Sequence, residues 1–420
     1  MTTFPKIFMV QPSWPRQEVA DLGSTVKTQL DRLQLADRVK PGQTVAVTAG
    51  SRGIVRIGEI LREVASCIRG LGAVPFIVTA MGSHAGATAS GQRQMLSNLG
   101  ITESACGCEI RAGMETIVAG QTAAGFPLHT DRIASEADHI LICGRVKPHT
   151  GFTGSYQSGL CKMMMIGLGN ELGATTYHRA VRDLGFQNVV ETCVPILLEK
   201  LPVLGGLAII ESAHKQVAQL ASIPADRLLL DEPALLKSAT SLMARLPFDV
   251  CDVLIVDEIG KDISGTGMDT NVVGRKHHDH EAESDEVPRV KRILVRGLTE
   301  KTHGNALGIG MAEFCRTQLV ERMDREATVV NAMASGHVTG AMIPVHFPTD
   351  REMLAAAIST LGLTPSDQCR LLWIRNTLAL STIATSQAYW EEVASRSDLT
   401  AASSPGPLPL DGSGNLIAPW

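Results

Sequence analysis

The sequence predicts an α/β protein of two domains, each with a parallel or mixed sheet. Short apolar runs alternate with amphipathic helical stretches along most of the chain. A length of 420 residues is too great for one ordinary core and suits two domains. Apolar residues at 44% against charged residues at 19% give the balance of a globular enzyme.

The elements follow in order. TVAVTAG (44–50) reads as a strand, and after SRGI the residues Ile57, Ile60, Leu61, Val64 and Ile68 recur at helical spacing. Gly70 and Gly72 close that helix, and VPFIVTA (74–80) is the next strand. Such a unit implies a parallel pair with a right-handed crossover. ADHILICG (137–144) and LGGLAIIES (204–212) are two more strands, and 231–245 is helical. A composition break near Leu246–Phe248 opens a second series: strands at 251–260, 290–298 and 370–375, with helices at 306–322 and 350–361. The expected domains are therefore 1–246 and 247–381, with the active site in the cleft between them. A helix at about 382–396 is a candidate to return to the first domain, and the Ser/Pro/Gly-rich 397–420 is expected to be a partly mobile tail.

Composition excludes several functions. Aromatic residues are only 4%, which disfavours a base-stacking platform. A net charge of −5 without a basic stripe disfavours a phosphate backbone as partner, so no nucleic acid is expected. The nine cysteines include no Cys-x-x-Cys pair, and Cys106 and Cys108 suit neither a zinc knuckle nor a thioredoxin-like site. They read as reduced thiols. The opening MTTFPKIFMVQPSWP carries no signal-like pattern, and no apolar run approaches a membrane span. The expectation is a cytoplasmic protein.

In α/β folds ligands gather beyond the carboxyl ends of the strands. Five such ends carry polar groups: Ser51–Arg52–Gly53, Gly82–Ser83–His84, Lys147–Pro148–His149, Glu258 with Lys261 and Asp262, and Thr302 with His303 and Asn305. A lone histidine is more often a hydrogen-bonded structural residue than a proton carrier. Two at equivalent strand ends, His84 and His149, make an acid–base pair plausible, because inverting a carbon requires proton handling on both faces. Lys162 is embedded among Met163, Met164, Met165 and Ile166. Burial there would leave a neutral, nucleophilic amine, although a lysine can also pack its stem and send its head to water. His178, sixteen residues on, alone would be an ordinary helix histidine. KHHDHEAESDE (276–286) looks like a metal cluster, but a solvated surface loop is the better reading. Cys161 reads as a small buried residue.

Together, strand–SRG, strand–GSH, strand–KPH, a glycine-flanked lysine and a histidine sixteen residues later resemble the lactate racemase-like isomerases, from about Gln43 to Leu380. The KPH-to-YH segment is the most specific part. The resemblance implies that Lys162 carries, through a thioamide, a nickel-pincer nucleotide (pyridinium-3-thioamide-5-thiocarboxylic acid mononucleotide), and that His178 is the protein ligand of nickel. It implies that His84 and His149 are the catalytic acid–base pair, with Arg52 and neighbouring Ser51 near the cofactor phosphate. Imidazole suits nickel, and the hard chemistry, hydride uptake and return, would belong to the cofactor.

The chain also departs from the pattern. Ala49 stands where the racemase loop has an acidic residue, and the linker TGSYQSGLC before Lys162 is longer. Aligning Lys261–Asp262–Ile263 with the racemase KDI puts Thr266, Gly267 and Thr270 where tyrosine, glutamine and lysine enclose lactate. That implies a wider pocket and a longer 2-hydroxy acid, resembling a sugar acid. Lys261, Thr266, Asp269 and Asn271 are then candidate substrate contacts, with Arg52 or Lys261 on the carboxylate. The implied partners are this small molecule and the cofactor-assembly enzymes; homo-oligomerisation stays open. Two rival readings are a pyridoxal-phosphate enzyme using Lys162 and a non-catalytic nickel or nucleotide carrier.

Overall fold

A computed structural model describes residues 3–420. The chain divides into two compact units, Pro15–Met243 and a second formed by Ala244–Trp420 with the described residues up to Trp14. No helix among the described residues is long and apolar enough to cross a membrane.

The unit Pro15–Met243 is built on a six-stranded sheet in the order Glu109–Arg111, Val74–Thr79, Thr44–Ala49, His139–Arg145, Val203–Glu211, Val217–Pro224. The first five strands are parallel, and the last returns antiparallel along Val203–Glu211. Both faces are apolar, so the strands read as continuous hydrophobic runs, as doubly covered parallel sheets require. Successive residues still point to opposite faces. Val45, Val47, Ile77, Leu141 and Cys143 enter one core, whereas Ala46, Phe76, Val78, Ile140 and Ile142 enter the other. The first core is closed by the helices Leu22–Asp31 and Ile57–Gly70, whose Ile57, Ile60, Leu61, Val64 and Ile68 all lie in it. The second is closed by Phe186–Lys200 and Leu228–Leu242, through Val189, Val190, Cys193, Val194, Leu197, Leu236 and Ala239. Helix starts are capped by side chains: Asp21 accepts from the Ser24 amide and Thr88 from the Gly91 amide. A hairpin not legible in the sequence, Thr116–Gln121 with Pro127–Asp131, supplies buried Asp131, which accepts from the Asn170 side chain at 2.8 Å.

The second unit carries an eight-stranded sheet in the order Val345–Phe347, Phe314–Arg316, Arg289–Val295, Val250–Val256, Leu371–Ile374, Ile383–Ser386, Ile7–Pro12, Leu399–Ala401. Five parallel strands are continued by three antiparallel ones. This sheet departs from the expected boundaries. Residues 382–396 form no single helix: Ile383–Ser386 pairs with Leu371–Ile374 and with Ile7–Pro12, and the short helix Trp390–Ser395 sets Trp390 edge-on to Phe8 at 4.9 Å. The N-terminal strand therefore belongs with the C-terminal part of the chain. The Ser/Pro/Gly-rich tail is likewise tied down. Leu399–Ala401 is the last strand, Gly406 bridges to Ile7, and Leu408 and Leu416 are buried. The helix expected over 306–322 begins only at Thr317. Before it, the Ala306 amide donates to Thr328 and the Gly308 amide to the Gly340 carbonyl, so tertiary partners draw this backbone out of the helical pattern.

Candidate active site

The loops beyond three neighbouring parallel strands, Thr44–Ala49, Val74–Thr79 and His139–Arg145, carry Ser51 and Arg52, His84, and Lys147 and His149 respectively. The fourth contribution comes from the segment after Gly159. A single helical turn, Leu160–Lys162, runs into a π-helical turn, Met163–Gly167, where the Leu168 amide reaches back to the Met163 carbonyl at 3.0 Å. Such wide turns recur at functional sites. Leu160, Cys161, Met164 and Met165 are fully buried, which pins the turn and leaves Lys162 at its partly buried edge. Cys161 is thus the small buried residue expected.

Desolvation, followed by the charges of Arg52 and Lys147, holds the Lys162 ammonium down to a pKa of about 8. His178 lies on the helix Asn170–Leu184 and keeps solvent access. Desolvation by the surrounding protein, then the cations Lys162 and Arg182 and the nearby His84, lowers its pKa to about 4, so its imidazole is neutral at physiological pH. Arg52 is also pushed down, by desolvation and then by Arg145. Arg145 itself pairs with Glu211, whose other oxygen accepts from the Val55 amide at 2.8 Å and so fixes the loop that carries Arg52.

The second histidine sits in a loop closed by mutual backbone hydrogen bonds between Lys147 and Ser158. Within it the His149 amide donates to the Gln157 side chain at 2.8 Å, while His149 Nδ1 accepts from the amides of Gly151 and Phe152, each at 3.0 Å. His84 Nδ1 instead lies 2.7 Å from the Met81 carbonyl oxygen.

Phe152, absent from the sequence-based site, is the hub that links these residues. Its ring stacks on His149 and on Phe186, with centroids 4.1 Å away in both cases, and lies 5.9 Å from His178. The Lys162 ammonium stands 5.3 Å from the same ring. Phe152, His149, His178 and Lys162 therefore form one cluster, and charge effects on Lys162 and His178 add Arg52, Lys147 and His84 to it. Glu232 was also missed. Fully buried, it accepts from the Cys161 amide at 2.9 Å and from the Leu160 amide, and so caps the turn bearing Lys162. No local signal marks either residue: one is a phenylalanine in a glycine-rich loop, the other a glutamate in an ordinary helix.

The candidate substrate residues all lie in the second unit. Lys261 donates its ammonium to the Gly265 carbonyl at 2.7 Å, and the Thr266 hydroxyl donates to the Met268 carbonyl at 2.8 Å. Asp269 Oδ1 accepts from the backbone and side chain of Asn271, at 3.0 and 2.8 Å, and the Asn271 oxygen accepts from Lys276 at 3.1 Å. Lys276, which sequence reasoning left in the charged loop, is held down to about 8 by desolvation against the opposing pull of Asp269 and Glu286. Gly267 does not open space for a ligand, contrary to the wider pocket expected from small residues. A Cβ on Gly267 would stand 2.1 Å from the Leu307 carbonyl oxygen, at a φ of +76°, so glycine is required there by a backbone approach. Thr270 is buried as well.

The loop 276–286 is only partly solvated. His277, His278 and His280 are exposed, but Asp279 binds His337 Nε2 at 2.6 Å, and Glu286 accepts from the amides of Lys276, His277 and Glu283. Among the described residues no group of three or more His, Cys, Asp or Glu side chains is arranged to hold a metal.

Residues 10–185 match the family model of the lactate racemase N-terminal domain, a span that contains Ser51, Arg52, His84, His149, Lys162 and His178. The fold is similar to that of the lactate racemase apoprotein from Thermoanaerobacterium thermosaccharolyticum, with a TM-score of 0.53 and 12% identity over 86% of this chain and 93% of that one. A protein from Thermotoga maritima gives a TM-score of 0.48 and 13% identity over 76% of this chain and 82% of the other. No curated protein matches the chain in sequence.

Proposed function

We propose that this lactate racemase-like chain is an isomerase that inverts a hydroxyl-bearing carbon of a 2-hydroxy acid, using a nickel-pincer nucleotide tethered to Lys162. The observation that carries the reading is the cluster around Phe152. It unites a lysine held near pKa 8 with a histidine held near pKa 4, inside the span that matches the racemase domain.

The donor set fits the group. With a pKa of about 8, roughly half of the Lys162 amine is a neutral nucleophile near pH 8, as attachment through nitrogen requires. His178 offers a neutral imidazole, a ready ligand for nickel, and needs no partner cluster if the group itself brings the other donors. Arg52 and Lys147, whose charges already bear on Lys162, would neutralise the nucleotide phosphate. When bound, the group would supply hydride-transfer chemistry at the hydroxyl-bearing carbon. The chain's own work is to orient the acid and to move the hydroxyl proton, through His84 and His149. A longer, sugar-acid-like substrate is proposed on the polar set Lys261, Thr266, Asp269, Asn271 and Lys276 of the second unit, which offers donors and acceptors for extra hydroxyls. The size of the residues near Gly267 carries none of this.

The test is the intact mass of the protein made with the cofactor-assembly enzymes and nickel. A covalent increment that maps to Lys162, and is lost in Lys162→Ala, is expected. An active preparation with unmodified Lys162 would overturn the reading.

A further inference from the structure

We infer that the hairpin Thr116–Gln121 with Pro127–Asp131 is the template that sets His178 against Phe152, acting through two positioning residues of the histidine-bearing helix, Asn170 and Tyr177. That Lys162 and His178 serve one cofactor rests on the function proposed above; the templating does not.

Lys162 ends a single helical turn, the π-helical turn Met163–Gly167 follows, and only then does the helix Asn170–Leu184 begin. A wide turn followed by a fresh helix start leaves the direction of the second helix unfixed by its own backbone hydrogen bonds. The direction changes at Asn170, whose φ is +50°, left-handed backbone that glycine and asparagine adopt most readily. Glycine would serve the backbone equally well. Asparagine adds a fully buried side chain that donates to Asp131 Oδ2 at 2.8 Å and to the Gly113 carbonyl at 3.3 Å. Asp131 is itself held, because its other oxygen accepts from the Ala134 amide at 2.9 Å.

Tyr177 comes two helical turns later and returns to the same neighbour. It is fully buried, and its hydroxyl donates at 3.0 Å to the carbonyl of His129, on the strand that ends in Asp131. Glycines permit this close approach. A Cβ on Gly173 would stand 3.3 Å from His129 Cβ and 3.1 Å from Tyr177 Cε2, and one on Gly169 would stand 3.0 Å from the same ring atom. The hairpin is seated in turn on the core: Leu128 is fully buried, and a Cβ on Gly120 would meet Ile196 Cγ2 at 2.7 Å.

A helix held at two points along one face resists rolling. The residue after Tyr177 is turned about 100° from that face. That residue is His178, whose ring lies 5.9 Å from Phe152, the ring that also faces the Lys162 ammonium at 5.3 Å. The hairpin, rather than the short chain between lysine and histidine, therefore sets where the imidazole stands.

The experiment is proton NMR of the full-length protein, carrying protons only on its His and Phe rings in a deuterated background. In the parent, the Phe152 ring should give cross-peaks to His149, stacked at 4.1 Å, and to His178. Asn170→Gly keeps the left-handed backbone and Tyr177→Phe keeps the ring, so each removes one tether. Each should weaken the His178 cross-peak relative to that of His149, and the double variant should lose it. Leu30→Ala, in the core on the other face of the sheet, serves as a control of comparable urea stability and should leave the ratio unchanged. In protein made with the cofactor-assembly enzymes and nickel, both tether variants should keep the covalent increment on Lys162. They should hold nickel about tenfold less tightly against a chelator, as loss of a ligand-orienting partner does. An unchanged cross-peak ratio in both variants, or the same change in Leu30→Ala, overturns the inference. A changed ratio with no increment on Lys162 in the active parent would sink the proposed function alone; a loaded parent with an unchanged ratio in its variants would sink this inference alone.

Discussion

Replacing Glu232 with alanine should release the turn that carries Lys162. The carboxylate is fully buried and accepts from the amides of Cys161 and Leu160. A buried donor that loses its acceptor costs about 1–3 kcal/mol, so two such amides put the loss for Glu232→Ala at about 2–6 kcal/mol. Glu232→Gln keeps one acceptor oxygen and should stay within about 1 kcal/mol of the parent near pH 5. The comparison has a signed pH dependence. Burial raises the Glu232 pKa above its ordinary 4.5 in the folded chain. As pH rises above 4.5, the unfolded chain gives up this proton first, and the contribution of Glu232 to stability falls. Glutamine escapes that loss, so Glu232→Gln should gain on the parent from pH 5 to pH 8. Gly159→Ala supplies an independent check, because its Cβ would stand 2.2 Å from Glu232 Oε1 and 2.5 Å from Cδ. It should destabilise the parent yet add little in the Glu232→Ala background, a coupling that a double-mutant cycle reads directly. The assay is urea unfolding, with hydrogen exchange of the Leu160 and Cys161 amides to localise the effect. Glu232→Ala within about 0.5 kcal/mol of the parent, the range of ordinary surface changes, would refute the capping argument.

Other outcomes follow from the same cluster. Lys162, with its pKa lowered to about 8, should be acylated ahead of surface lysines at pH 8–9, with the absolute rate falling below pH 8 and the selectivity fading as pH rises toward 10.5; peptide mapping at limiting reagent checks this, and labelling no faster than the surface average would contradict it. Because the unfolded chain holds the Lys162 proton up to about 10.5, stability should also rise with pH between about 8 and 10.5. His178→Ala should lose most of the bound nickel yet keep the covalent increment on Lys162, since ligation and attachment are separate bonds; unchanged nickel by elemental analysis would remove His178 from the site. Replacing exposed His277, His278 and His280 together should leave nickel content and turnover intact, and a loss of either would assign that loop a role. With a substrate deuterated at C2, the product should retain the label, whereas washout into water would eliminate hydride transfer.

The four central strands of the first unit and its helix Ile57–Gly70 were legible because both faces of the sheet are buried. Val45 to Val47 and Ile140 to Ile142 had to be apolar, and Ile57, Ile60, Leu61, Val64 and Ile68 had to fall on one helical face. His84 and His149 were legible because each follows a strand and carries chemistry that packing alone does not demand, whereas Lys162 and His178 were singled out by the family resemblance. Partners distant in sequence were not legible. Nothing near Ile7–Pro12 announces that it will lie between Ile383–Ser386 and Leu399–Ala401, since backbone N–H and C=O groups are the same in every strand and do not name their partner. That pairing placed the N-terminus and the supposed tail in the second unit. Gly267 showed the same limit from the other side, because a small residue looked like room for a ligand until the Leu307 carbonyl was found against it. The sequence alone determined which groups could do chemistry; only the tertiary structure decided their protonation. Phe152 gathered them and Glu232 fixed the turn beneath Lys162, because a pKa depends on burial and on neighbours that folding, not sequence order, brings together.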